Sequence, residues 1–148
     1  MTEPAVTVAA ARVRDVATGR TEVSYVEGEA YDIRVRGHRV RVDQPVQDGG
    51  TDQAPTPTEL FVGSLAACVA FYAGRYLTRH GYRRDGLQVS AGFEMAADRP
   101  ARVAAVRITL RPPTDLPAGR VAALVAVASH CTVHNSITIA PRITVTVE

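Results

Sequence analysis

The sequence contains no lysine and no tryptophan, only two cysteines, and few aromatic residues (5%). Without lysine, Schiff-base mechanisms and lysine general bases are excluded. The 17 basic residues are therefore all arginine, and 15 acidic residues nearly balance them. A net charge of +2, dispersed along the chain and accompanied by so few rings, supports neither a phosphate-binding surface nor base stacking. No nucleic-acid partner is expected. A run of about 18 apolar residues, the length a membrane span needs, is also lacking. The N-terminal MTEPAVTVAAARVRD has no basic segment followed by an apolar core, so it does not resemble a secretion signal. The expectation is a cytoplasmic protein with no membrane partner. In that reducing compartment two thiols are free, redox-active or inert rather than a permanent staple.

What is present is ordinary globular material: 148 residues, 46% apolar and 22% charged, enough for one domain over 1–148 with a real core. Strand patterns come first, in VTVAAARVR, TEVSYV and YDIRVRGHRVRVD. In the last, Ile33, Val35, Val40 and Val42 alternate with Arg34, Arg36, Arg39 and Arg41, the period of half-buried strands, and Gly37-His38 reads as a hairpin turn. The Gly-, Pro- and Asp-rich QPVQDGGTDQAPTPT is a long loop, of the kind that often carries function. TPTELFVGSLAACVAFYAGRYLTRHG is the clearest helix: Thr56 caps, Pro57 fits the first turn, Glu59 completes a capping box, and Gly81 stops it. GLQVSAGFEM and RVAAVRITLR form an expected antiparallel pair. GRVAALVAVASH follows as a second helix and RITVTVE as a final strand. Helices on antiparallel sheet define an α+β fold.

The first cysteine, Cys68, lies within the apolar helix and is predicted to be buried, with Ser64, Tyr72 and Arg75 close to one line with it along the helix. Two readings stand side by side. Either Cys68 is inert packing, as free cysteines in cores commonly are, or a nearby cation makes it a nucleophilic thiolate. It sits about three turns in, too far to feel the helix dipole. The second, Cys131, sits at a helix end among His130, Thr132, His134 and Asn135, a less core-like setting. There it is either a resolving thiol or, with His134, half of a metal pair. Zinc normally recruits three or four protein ligands and the sequence offers no second cluster, so no metal is expected.

PTELFVGSLAAC followed about sixty residues later by HCTVHNSI resembles the OsmC/Ohr family of osmotically induced and organic-hydroperoxide-resistance proteins. The resemblance extends from about Tyr25 onward. It implies antiparallel sheets packed around a long central cysteine-bearing helix, in a cytoplasmic, intertwined homodimer of the oxidative or osmotic stress response. It further implies that Cys68 attacks an organic hydroperoxide and becomes sulfenic acid, and that Cys131 condenses with it to a disulfide. A lipoyl group or small thiol is the implied reductant, and no cofactor is implied. Glu59, Arg75, Tyr72 and Ser64 are the candidate supporting residues.

The chain departs from the family pattern at two places. Thr58 stands ten positions before Cys68, where active members have Glu, and Glu59 is nine before it. VEGEAYD, the early loop that carries the thiolate-holding Arg in those members, has none; Arg34, Arg36, Arg39 and Arg75 are the remaining candidates. These features resemble the broader OsmC-like subgroup. The alternative function is accordingly a non-enzymatic small-molecule-binding stress protein with reduced, structural cysteines. Leu65, Val69, Phe71 and Tyr72 are the expected pocket walls. Apolar surface in excess of what one chain can cover points independently to a dimer. A cysteine hydrolase using His130 or His134 is the remotest reading, because no acid or amide is evidently placed to orient either ring.

Overall fold

The computed structural model describes residues 18–148. The expected strand VTVAAARVR falls outside them. Three antiparallel strands come first, β1 (Glu22–Glu27), β2 (Ala30–Val35) and β3 (His38–Val42), in the order β1-β2-β3. The β2–β3 register pairs Ile33 with Val40 and Arg34 with Arg39, so apolar and arginine positions alternate across the ladder as the sequence pattern requires. The turn lies one residue earlier than expected. His38 already pairs with Val35, and Arg36 takes the left-handed conformation at φ 54°, leaving Arg36-Gly37 as the two-residue loop.

The long loop is ordered by one buried carboxylate. Asp43, 1% exposed, accepts hydrogen bonds from the Gln44, Thr51 and Gln53 amides and from the Thr51 hydroxyl. These bonds hold its pKa below the usual carboxylate value, the Gln53 amide contributing most. The fixed loop delivers the chain to α1 (Pro57–Arg79). There the capping box forms as the sequence predicts: the Thr56 hydroxyl accepts from the Glu59 amide at 3.1 Å, and the Glu59 carboxylate accepts from the Thr56 amide at 2.7 Å.

After α1 come β4 (Gln88–Met95) and β5 (Val103–Arg111), an antiparallel pair, then α2 (Ala118–Ala128) and α3 (Thr132–Thr138). Val106, Ile108 and Leu110 of β5 face the core while Arg107, Thr109 and Arg111 face out. By length and apolarity α1 could cross a membrane. In the fold, its Leu65, Val69, Ala73, Tyr76 and Leu77 pack with Leu116, Leu124, Ala128 and Cys131. Leu77 and Leu124 are fully enclosed, and truncating either to alanine is worth about 2–5 kcal/mol.

One further expectation is corrected here. RITVTVE forms no strand: residues 139–148 have no regular secondary structure, and Ile143, Val145 and Val147 are largely exposed. An alternating sequence is only a strand when a neighbouring ladder satisfies its backbone, and none of the described residues offers one at that place. Within one chain α1 is not covered on every side: Phe61 and Phe71 are exposed.

Candidate functional site

The two thiols converge where α1 passes the start of α3. Cys131 is fully buried and N-caps α3, its sulfur accepting from the His134 amide at 3.4 Å. Cysteine is not among the preferred caps, which is why α3 is hard to see in SHCTVHNSI. Cys68 is only half-buried. The burial of the pair is thus the reverse of the sequence expectation. A helix apolar all round implies burial only if every face is covered, and the Cys68 side is not. Cys131 follows a helix end yet is drawn inward by capping the next helix.

Both thiols are free, and Cys68 lies close enough to Cys131 to bear on its ionisation. Burial pushes the Cys131 thiol up, the His134 amide opposes this by hydrogen-bonding the sulfur, and the neighbouring Cys68 pushes it further up. Cys131 is therefore a protonated thiol near neutrality, with Cys68 the more accessible sulfur of the two.

The supporting candidates separate. The Tyr72 hydroxyl lies 2.7 Å from that of Thr132, tying the Cys68 helix to the residue that follows Cys131. In the sequence Thr132 is only a polar neighbour of Cys131, because nothing local to it signals a partner sixty positions away. Ser64 is exposed and donates to the Phe61 carbonyl at 2.8 Å, a local helix contact. Glu59 is engaged in the capping box, and Arg75 rests over the Phe71 ring, 5.6 Å from its centroid. Arg34, Arg36 and Arg39 gather at the hairpin tip, with Arg39 also 3.6 Å from buried Asp32. Among the described residues no arginine hydrogen-bonds either sulfur.

The histidines turn to backbone. His130 Nδ1 donates to the Ala126 carbonyl and His134 Nδ1 to that of Ser129, so neither ring is aimed at a thiol through that nitrogen. Among the described residues no group of three or more potential ligands is arranged to hold a metal.

Residues of α1, β5, α2 and α3 line an open cavity of about 330 Å³, chiefly Leu65, Val69, Val106, Ile108, Leu110 and Val125; neither cysteine is among its walls. Ser129 and His134 add polar edges. Of the expected pocket walls, Leu65 and Val69 line this cavity; Tyr72 lines a different one, and Phe71 faces solvent. A half-buried thiol close to a buried one suits two-thiol redox chemistry, and the cavity on the same helix, walled by Leu65 and Val69, suits an apolar ligand.

Solved structures share this fold. A Psychrobacter arcticus protein, described as an osmotic stress induced and detoxification response protein, superposes with a TM-score of 0.74 at 24% identity, over 84% of this chain and 91% of that one. A Legionella pneumophila organic hydroperoxide resistance protein OsmC gives 0.65 at 19%, over 84% and 91%. An OsmC-like protein from Vibrio cholerae gives 0.65 at 10%, over 82% and 94%. These likenesses establish the fold. No curated protein matches the sequence. The family described as OsmC-like protein matches residues 50–147, from the ordered loop through both thiols to the C-terminal segment, and the chain belongs to that family.

Proposed function

We propose that the protein is a thiol-dependent peroxidase that reduces organic hydroperoxides in oxidative or osmotic stress defence. One observation carries the reading: a half-buried Cys68 lies close to a fully buried Cys131, and the helix that bears Cys68 also walls an apolar cavity through Leu65 and Val69. The Cys68 thiolate attacks the terminal peroxide oxygen, the O–O bond breaks, and the alkoxide leaves as alcohol after protonation. The Cys68 sulfenic acid then condenses with Cys131, releasing water and forming the disulfide. A dithiol reductant, either a dihydrolipoyl group or two small thiols, returns both cysteines to the thiol state by exchange. The cavity favours bulky alkyl hydroperoxides over hydrogen peroxide.

The working unit in this reading is a homodimer. Phe61 and Phe71 on α1, Val125 and Val127 on α2 and the apolar positions of 139–148 are left open by one chain, and a second copy is the occupant the family resemblance implies. Stopped-flow consumption of cumene hydroperoxide with dithiothreitol or dihydrolipoamide tests the chemistry. Turnover that needs Cys68 is expected; absence of turnover, or turnover unchanged by Cys68→Ser, rejects it.

A second reading has its own support. No arginine bonds the Cys68 sulfur among the described residues, and a thiol without a cation remains a poor nucleophile. In that case the protein binds an apolar small molecule and keeps its cysteines reduced. Titration of the thiols in the folded protein separates the two, since a Cys68 pKa below the ordinary thiol value favours the peroxidase and one above it favours the binder.

A further inference from the structure

We propose that the tip of the β2–β3 hairpin binds a phosphomonoester, gripping the phosphate dianion between Arg34, Arg36 and Arg39. This goes beyond the peroxidase reading and does not depend on it. Along the sequence the arginines are dispersed and predict no phosphate-binding surface. The ladder gathers three of them: pairing β2 with β3 sets Arg34 opposite Arg39 and leaves Arg36 in the turn that joins the strands. Together with Gly37 and His38 they line an open cavity of about 320 Å³. Every ionisable side chain on its walls is basic.

Two features of this tip work against folding. Like charges directly opposite in an antiparallel pair repel, yet Arg34 faces Arg39. Asp32 relieves only part of this, since its carboxylate is held by Arg41 at 2.9 Å and stands 3.6 Å from Arg39. Glu22, opposite Arg34 on β1, is engaged by Arg20 at 3.0 Å. Among the described residues neither Arg34 nor Arg36 forms an ion pair. An anion seated between the guanidiniums converts their repulsion into attraction.

The second feature is conformational. Apart from glycines, only Arg36 and Asp52 among the described residues have φ in the left-handed region, at 54° and 55°. Aspartate is tolerated there because its short side chain bonds nearby backbone; arginine has no such compensation. Gly37 stands next to Arg36 and does not take a left-handed φ, so the residue suited to the strained position is one place away from it. Strain held at one point of a regular hairpin marks a side chain retained for what it binds.

Each guanidinium is a planar fork of donors that matches phosphate oxygens in pairs, and three forks exceed what one carboxylate can accept. A monoester suits the tip better than a diester. Its three terminal oxygens and second negative charge meet three cations at one point, whereas a nucleic-acid backbone requires a row of them. Because the cavity is open, the rest of the ester extends into solvent and the phosphate carries the recognition.

Calorimetric titration of the reduced, full-length protein with glycerol 3-phosphate, acetate and a thymidine oligonucleotide tests the site. Glycerol 3-phosphate is expected to bind at least about tenfold tighter than acetate, the scale of one additional charge-assisted hydrogen bond. Arg36→Asn and Arg34→Gln are each expected to weaken that binding about tenfold, and Cys68→Ser to leave it unchanged. Arg39 is kept because it also faces Asp32. Asparagine tolerates a left-handed φ, so Arg36→Asn is expected to raise Tm while losing the ligand, a combination that a purely structural arginine would not give. Absence of glycerol 3-phosphate binding, acetate bound as tightly, binding that survives both arginine changes, a lower Tm in Arg36→Asn, or an oligonucleotide bound tighter than the monoester overturns the proposal. Phosphatidylcholine vesicles carrying phosphatidic acid, with phosphatidylserine as the diester control, then identify the source of the phosphate. Sedimentation with phosphatidic acid alone places it on a lipid, and glycerol 3-phosphate binding without sedimentation places it on a soluble ester.

Discussion

The hydroxyls of Tyr72 and Thr132 lie 2.7 Å apart, joining the helix that carries Cys68 to the first residue after Cys131. Tyr72→Phe and Thr132→Val each remove this bond while keeping the bulk of the side chain. Each is expected to cost about 0.5–1.5 kcal/mol in urea unfolding. The double variant is expected to cost little more than either alone, because both report the same contact. Fully additive losses would show that the two residues act separately.

Glu59 is expected to behave as a cap. Glu59→Gln keeps a capping-box residue and should unfold close to the parent, while Thr56→Ala should lose about 0.5–2 kcal/mol. Thermal melts with a parallel hydroperoxide assay check both. A large activity loss in Glu59→Gln at unchanged stability would give the carboxylate a part in the chemistry.

Alkylation should order the two thiols by burial. In the native protein, iodoacetamide is expected to label Cys68 well before Cys131, which is fully buried and whose pKa burial raises. Because the folded Cys131 pKa lies above the ordinary 9.0, its contribution to stability is complete below that value. It is lost as pH rises from there through the folded value, since the unfolded thiol ionises first. Peptide mass spectrometry over time reads the order, and faster labelling of Cys131 would contradict it.

Acid stability should depend on Asp32. The Arg41 guanidinium, bonded at 2.9 Å, holds this carboxyl below its usual 3.8, with Arg39 and Arg34 adding to the effect. A depressed folded pKa gives stability that is complete above 3.8 and is lost as pH falls through the folded value. Asp32→Asn is therefore expected to lower Tm at pH 7 and to lose less than the parent on acidification to pH 3. Parallel melting curves that keep the same gap at both pH values would remove this assignment.

The proposed dimer is open to direct measurement. Light scattering is expected to give twice the 15.8 kDa chain mass, and Phe71→Glu on the exposed side of α1 is expected to shift the population toward monomer. A parent protein that scatters as a monomer at micromolar concentration would end that reading.

Local rules sufficed for much of this molecule. The alternating arginines of Asp32 to Val42 determined a two-stranded ladder, Thr56-Pro57-Thr58-Glu59 determined where the long helix begins, and the spacing around Cys68 and Cys131 carried the family resemblance. Each depends on neighbours within a few residues or on a motif that is itself sequence. Tertiary structure decided what depends on distant partners. The N-cap contact that buries Cys131, the Thr132 hydroxyl set against Tyr72 and the side of α1 left open arise only when separate elements meet. So does the fate of RITVTVE, whose alternation fits a strand but whose backbone finds no ladder among the described residues. Thiol reactivity belongs to the same class, since it depends on which charges and water reach the sulfur rather than on the residues beside it in sequence.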